Sequence, residues 1–387
     1  ALDRVGRWLE HSDDQVFRLF GFAGTGKTTI ARHLAAQAGD VIFGAYTGKA
    51  AYVLQRSGCK GATTLHSLIY TPKERSKQRL KELQEFLAKL EAESPRDEAR
   101  IARGQKVIAE ERANLRRPLF ALKMDSEVRD ADLLIVDEVS MVDQRMGEDL
   151  LSFGTKILVL GDPAQLPPVK GEGFFTRDQP DVMLTEIHRQ ARDNPIVDMA
   201  ARIREGDFLD YGDYGSSEVM DWGDIEPSHA TRADQIIVGT NKTRKGVNRR
   251  TREEKGFGDR YPMVGERLVC LKNNHEKGLL NGAIYIVETV GEASGHVLEM
   301  TVRDEGSGDI IAVDAHVGHF EGYDVPYWEA RDTDQFDFGY GLTCHKSQGS
   351  QWDDVLIFDE SKVFGQNRRR WLYTAVTRAA QRVTVVR

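Results

Sequence analysis

GFAGTGKTT, residues Gly21 to Thr29, decides how this chain is read. It fits G-x-x-x-x-G-K-[ST], with Gly21, Gly26, Lys27 and Thr28 at the fixed places. VFRLF (Val16 to Phe20) precedes it and reads as a strand; TIARHLAAQAG follows, reads as a helix, and ends at Gly39. Strand, glycine loop and helix are the context this motif requires. Average residue usage places such a pattern by chance in about 1–2% of chains of this length, and the flanks lower that further. Glycines let backbone N–H groups close around phosphate oxygens, and the helix N-terminus adds positive potential. Gly24, Thr25, Gly26, Lys27, Thr28 and Thr29 therefore form the expected phosphate cradle. Lys27 would reach the β- and γ-phosphates, and the Thr28 hydroxyl would hold Mg²⁺.

Outward from this loop, residues 16 to 70 alternate strand and helix: VFRLF, a helix, VIFGAY, a helix, then TTLHSLIY. That pattern predicts an α/β fold with a parallel sheet. ADLLIVDEVS and KILVLGD continue the sheet, and IIVGTN (Ile236 to Asn241) begins a second α/β region. The chain returns to this pattern at FGYGLTCHKSQG and ends on RVTVV.

Two segments interrupt. Residues 71 to 130 are charged and helical, with a surplus of three positive charges and an apolar stripe of Leu80, Leu83, Leu87 and Leu90. Ser94-Pro95 marks a turn, which predicts a helical hairpin, solvated and salt-bridged. Residues 259 to about 335 hold ERLVCLKNN, AIYIVETV, HVLEMTV and DIIAVDAHV, short strands between Gly, Asn and Asp turns, which predict a small β-barrel.

The 387 residues suffice for two or three domains. The chain starts at Ala1, so a natural start upstream is expected. Cys59, Cys270 and Cys344 lie too far apart for a metal or redox pair, which suits a reducing cytosol. No run is apolar enough to span a bilayer and no signal peptide is visible, so the expectation is a cytoplasmic protein without a membrane partner. A net charge of -8 argues against a surface coated in nucleic acid but leaves room for a local basic groove.

Two further loops carry chemistry. LLIVDE (Leu133 to Glu138) ends an apolar strand in two carboxylates. Asp137 can hold Mg²⁺ through water, and Glu138 is then placed to deprotonate an attacking water. An acidic pair after a strand is also common as a helix cap; the loop at 21 to 28 tips the balance toward hydrolysis. In LGDPAQLPP (Leu160 to Pro168), Gln165 has the reach and both amide functions to touch a γ-phosphate or its water. Taken alone, that stretch reads as an ordinary Asp-Pro turn.

GFAGTGKTT, YTGKAA, TTLHSL, LLIVDEVSMVD, VLGDPAQLPPV, LTEIHRQ, GYGLTCHKSQGSQWDDV and YTAVTRA occur in that order between residues 21 and 380. Together they resemble a superfamily 1 DNA helicase of the RecD/Dda-like branch. The resemblance implies two RecA-like P-loop domains with ATP in the cleft between them. These would be residues 1–70 with 131–190, and 191–258 with 336–387. The helical hairpin is 71–130 and an SH3-like β-barrel 259–335. Lys27, Glu138, Gln165, Arg189 and Arg378 would be catalytic, the two arginines acting as fingers on the transferring phosphoryl. Thr28 and Asp137 would hold the metal. In the GSQWDD stretch the resemblance places Gly349 and Gln351 near the nucleotide; Gln351 stands where many relatives carry Glu. The adenine-contacting glutamine has no convincing match: Gln15 lies too close to the strand.

The resemblance further implies a single DNA strand across the tops of both domains, held by Thr47, Lys49, Thr64 and His66 on the first and Asn241, Thr343, His345 and Lys346 on the second. Hydroxyls, amides and lysines bind phosphates without reading bases. For an isolated histidine a packed, hydrogen-bonded core is the plainer reading; the resemblance balances that reading at His66 and outweighs it at His345. The implied activity is ATP-driven 5′-to-3′ translocation with unwinding of single-strand/duplex junctions, by a monomer, in the setting of replication, repair or recombination proteins. Two readings stay open beside it: a translocase that unwinds poorly, and an ATP-gated subunit of a larger complex. The residues do not distinguish DNA from RNA. A wedge at LRRPLFAL (Leu115 to Leu122, with Phe120) is weighed against simple packing of that stretch on the sheet, and packing is favoured.

Overall fold

The computed structural model describes residues 1–36, 38–72, 83–88, 91, 98–116, 120–169, 171–186, 194–274, 276–323, 325, 330 and 332–387. The apolar runs flanking the glycine loop build a six-stranded parallel sheet. Its order is Thr63–Thr64, Val41–Ala45, Leu133–Asp137, Lys156–Gly161, Val16–Gly21, Val182–Leu184. Leu133, Leu134, Ile135 and Val136 are all fully buried, as a strand covered on both faces requires. One face packs Leu19, Leu133 and Ile135 against Val5, Trp8, Ala31, Leu34 and Leu54 of the helices Leu2–His11, Lys27–Ala35 and Gly48–Arg56. The other packs Phe20, Leu134 and Val136 against Leu65, Met146 and Leu150. Each such side chain contributes about 1.5–3 kcal/mol. Parallel strands send their C-terminal ends to one edge, so the loops after Gly21, Asp137 and Gly161 emerge side by side.

A second six-stranded sheet has the order Gly341–Thr343, Gln235–Val238, Trp352–Phe358, Ala379–Val386, Ser217–Met220, Gly212–Tyr214, parallel except for the last pairing. Its core gathers Trp371, Tyr373 and Val376 from the helix Arg368–Val376 with Met199 and Ile203 from Pro195–Glu205.

Between the helix Asn241–Glu254 and the return strand Gly341–Thr343 the chain forms an antiparallel sheet of five strands: Ile310–His316, Val297–Asp304, Ile284–Ser294, Arg267–Cys270 and Phe336–Phe338. Tyr285, Phe336, Leu268 and Val302 fill its own core. Four of these strands coincide with the short apolar runs read from the sequence; Phe336–Phe338 lies just beyond the expected boundary at residue 335.

One local expectation is corrected. TTLHSLIY, expected as a strand, gives two strand residues, then the helix Leu65–Ile69. Thr64 caps it by accepting the Ser67 N–H at 3.2 Å, and Leu65, Leu68 and Ile69 share the buried face at helical spacing. Within the first insertion, Leu80 and Leu90 of the apolar stripe lie outside the described residues. Residues 83–88 and Glu98–Arg116 are helical, and a Cβ added to Gly104 would sit 3.0 Å from Leu87. Phe120–Leu122 pairs with Tyr70–Pro72 as a two-stranded antiparallel ribbon at the root of this insertion. Three-residue strands are too short to leave a periodic signal, so sequence analysis missed it.

Candidate active site

The phosphate loop turns on two glycines in the left-handed region, Gly24 (φ 77°) and Gly26 (φ 77°). Gly21 is required for a different reason: a Cβ there would meet Thr25 Oγ1 at 2.5 Å and Leu184 Cβ at 2.8 Å. Lys27 Nζ donates to the carbonyls of Gly21 (2.7 Å) and Phe22 (3.1 Å), so the cation is folded over its own loop. Thr28 Oγ1 donates to Asp137 Oδ2 at 3.2 Å. The sheet thus joins the two residues expected to hold a metal, 109 positions apart in sequence. The donor set fits magnesium: one hydroxyl and one carboxylate, hard oxygens of the kind it takes beside phosphates.

Burial holds the Asp137 carboxyl above its ordinary range, Glu138 adds repulsion, and Lys27 opposes both. Glu138 is the one non-glycine residue with positive φ among the described residues (55°), and its N–H is tied to Asp137 Oδ1 at 2.8 Å. Such a conformation costs of order 1 kcal/mol or more and gathers at functional sites. Gln165 is buried, and its Oε1 has no hydrogen-bond partner among the described residues. A buried unpartnered acceptor calls for an explanation, and a ligand or its water would supply the missing partner. Thr25 turns inward and donates to the Phe22 carbonyl at 2.8 Å, while Thr29 is exposed.

The second sheet meets this site through the loop after Lys156–Gly161. Leu166 is packed in the second sheet's core. Its N–H donates to Thr374 Oγ1 at 2.8 Å and its carbonyl accepts Gln348 Nε2 at 3.0 Å. Asp162 accepts from Tyr373 Oη at 2.6 Å, and the Ala23 N–H of the phosphate loop donates to the same phenol at 3.3 Å. The Arg204 guanidinium lies 3.8 Å from the centre of the Phe22 ring. Sequence analysis missed Asp162, Tyr373 and Arg204. The first two stand inside quoted motifs, but nothing in one sequence says that they touch.

Of the two expected arginine fingers, Arg189 lies outside the described residues. Arg378 is buried, with Nε on the Thr374 carbonyl (3.1 Å), Nη1 on the Ser350 carbonyl (3.2 Å) and Nη2 on Thr377 Oγ1 (3.2 Å). All three acceptors are neutral and belong to its own side of the cleft. Gly349 (φ 79°) packs on the first side's helix Gly48–Arg56, where a Cβ would come 3.0 Å from Thr47 Oγ1 and Ala50 Cβ. Gln351 is exposed, its amide 3.5 Å from the Ala379 carbonyl. Gln15 donates to the carbonyls of Leu151 and Thr155, a structural tie.

The expected strand-holding residues divide by role. Thr47 and Thr64 cap short helices through their hydroxyls. Lys49 is half-buried at the start of the helix Thr47 caps. His66 lies between the rings of Tyr46 (6.0 Å) and Tyr70 (5.6 Å), and burial lowers its pKa, the Asp143 charge opposing. On the other side, Asn241 and Lys346 are exposed and Thr343 is buried. His345 packs against Phe364 at 5.9 Å; burial lowers its pKa too, the Pro167 carbonyl opposing. Its contacts are those of a packed histidine. The two sides touch where Gly349 meets Thr47.

Residues 4–218 match the AAA domain, and residues 338–386 match the UvrD-like helicase C-terminal domain. The ATP-dependent RecD2 DNA helicase of Deinococcus radiodurans is 30% identical over 275 residues, covering 65% of this chain and 36% of that protein. The RecBCD enzyme subunit RecD of Mycolicibacterium smegmatis is 26% identical over 287 residues, covering 66% of this chain and 50% of that protein. The chain thus spans half or less of the length of these curated relatives. A crystal structure of Bacteroides Pif1 bound to ssDNA superposes with a TM-score of 0.57 at 19% identity, over 99% of this chain and 91% of that one.

Proposed function

We propose that this chain, which belongs to the AAA domain family and within it resembles the RecD-like superfamily 1 helicases, is an ATP-driven motor that moves 5′ to 3′ along single-stranded DNA and opens duplex ahead of it. The observation that carries the reading is the cleft. A phosphate loop and an acidic pair on one parallel sheet face a second parallel sheet, and the Gln165 loop bridges them. Magnesium, held by Thr28 and Asp137, would neutralise charge on the β- and γ-phosphate oxygens. Glu138 takes a proton from the attacking water, and Lys27 leaves its loop carbonyls for the phosphates. Arg378 approaches from the second side as the cleft closes, joined by Arg189 from the end of the first unit. Closure and opening alternate the grips of Thr47, Lys49, Thr64 and His66 with those of Asn241, Thr343, His345 and Lys346.

The finer architecture follows the same reading. Residues 1–70 with 131–190 form one RecA-like unit, and 191–258 with 336–387 the other. Residues 71–130 form a helical hairpin, supported by the approach of Leu87 to Gly104. The antiparallel sheet is an SH3-like element that flanks the strand's path, supported by the contact of Leu280 with Gly48. A single chain carries both sides of the cleft, so a monomer suffices.

The test is strand separation of a short duplex with either a 5′ or a 3′ tail, with ATP and Mg²⁺ and with Lys27→Ala as control. Unwinding from the 5′ tail alone supports the motor and its direction. Unwinding from the 3′ tail alone reverses the polarity. ATP hydrolysis stimulated by single strands without unwinding reduces the chain to a translocase. Absence of any ATP hydrolysis removes the reading.

A further inference from the structure

We propose that Tyr373 is a positioning residue of the nucleotide cleft that registers the phosphate loop against the Gln165 loop, and that phosphate and the Tyr373 hydroxyl contend for the Ala23 N–H; the inference rests on reading the cleft as a nucleotide site. Tyr373 is 1% exposed, so its ring is fixed by packing and its hydroxyl has one setting. A phenol has one proton to give and lone pairs to receive. Here both are used: the proton goes to Asp162 Oδ2 at 2.6 Å, and the oxygen receives the Ala23 N–H at 3.3 Å. Burial and the neighbouring Asp162 charge push the phenol's pKa up, so it keeps its proton and the direction of donation is set.

Asp162 passes the constraint on. Its other carboxylate oxygen accepts the Ala164 N–H at 3.0 Å, and its carbonyl accepts the Gln165 N–H at 3.1 Å. One hydroxyl therefore ties the second residue of the phosphate loop to the turn that carries Gln165. The next residue on the same helix, Thr374, holds the Leu166 N–H through its hydroxyl, and its carbonyl holds Arg378 Nε. Tyr373, the Gln165 loop and Arg378 thus hang from adjacent positions of the helix Arg368–Val376.

Backbone N–H groups of a glycine loop are the groups that turn toward bound phosphate. The Ala23 N–H is engaged by Tyr373 instead. When phosphate claims that N–H, the phenol loses one of its two bonds, and the helix bearing Thr374, whose carbonyl holds Arg378, is released on that side. Arg204, over the neighbouring Phe22 ring, is a second contact between this face and the loop. Nucleotide arrival is thereby sensed through a hydrogen bond that breaks as well as through those that form.

Tyr373→Phe keeps the ring and removes both bonds. Two readouts separate this inference from the proposed activity. The first is the affinity for a non-hydrolysable ATP analogue, measured by titration with no turnover. Removing the competitor tightens it about threefold, the size of one weak hydrogen bond. The second is ATP hydrolysis with single-stranded DNA, where kcat falls about tenfold while KM does not rise, because the register with Gln165 is lost. Asp162→Asn retains an acceptor for the Ala164 N–H and lowers kcat less than Tyr373→Phe. Adding Asp162→Asn to Tyr373→Phe costs little more, since the two act as a unit. An unchanged or weakened analogue affinity in a folded Tyr373→Phe chain overturns the inference, as do losses in the two single variants that simply multiply. A wild-type chain that binds the analogue but does not hydrolyse ATP sinks the proposed motor, and the affinity comparison still decides the role of Tyr373.

Discussion

On the first sheet, Lys27, Thr28, Asp137 and Glu138 stand ready: Thr28 already bonds Asp137, and Asp137 already bonds the Glu138 amide. On the second, Arg378 spends its guanidinium on three neutral oxygens of its own side. The difference separates what strand ends fix from what domain closure must bring. Adjacent parallel strands hold their C-terminal residues to fractions of an ångström, so one side of the cleft is organised whatever the other does. An arginine on the facing sheet can only complete the site by exchanging one set of partners for another. On the proposed reading, that exchange would make hydrolysis conditional on closure, as a motor needs.

The comparison is broken most sharply at Arg378. Arg378→Ala is expected to lower DNA-stimulated hydrolysis by about 10³-fold. It also leaves the Ser350 carbonyl without its Arg378 donor, while the Thr374 carbonyl keeps the Thr377 hydroxyl, costing about 1–3 kcal/mol of stability. Thermal unfolding beside phosphate release separates the two effects. A chain that loses stability but hydrolyses normally would make Arg378 a structural tie. Lys27→Ala should remove about 10²- to 10³-fold of the rate. Its melting temperature should fall only slightly, because the Lys27 hydrogen bonds go to its own loop and only its attraction to buried Asp137 and Asp162 is lost. Glu138→Gly should cost about 10²-fold in rate while raising stability by about 1 kcal/mol, since glycine accepts a positive φ freely. A chemical-denaturation midpoint that fell instead would deny the strain. Gln165→Ala should slow hydrolysis about tenfold with only a small loss of stability, because its buried Oε1 gives up no hydrogen bond and only packing is lost. Thr64→Ala is the smallest: about 1 kcal/mol through the lost cap on Leu65–Ile69. Filter binding would show whether affinity for single strands changes with it.

How far the sequence was legible follows from the range of each signal. The glycine loop, the acidic strand end and the β-rich segment were read at their places, because strand, turn and metal chemistry each leave a short, dense pattern. TTLHSLIY was misread because its apolar spacing suits a strand as well as one helical turn, and the Thr64 cap decided it. The ribbon at the root of the first insertion was missed because each strand has three residues. His66 and His345 were named as grips, yet their burial and ring contacts could not be read from a single histidine in a run.

By itself the sequence determined the chemistry on offer: which residues can close around phosphate, which can hold a hard cation, which can move a proton, and that these sit on parallel strands. Those are local properties of a few adjacent residues. Only the tertiary structure decided who meets whom across the cleft. The bond from Tyr373 to Asp162 spans 211 positions, that from Thr374 to Leu166 spans 208, and the approach of Arg204 to Phe22 joins the two sides. Long-range partners are set by how the two sheets pack, and packing energy is a property of whole faces. A single chain's letters carry no trace of which pair will touch.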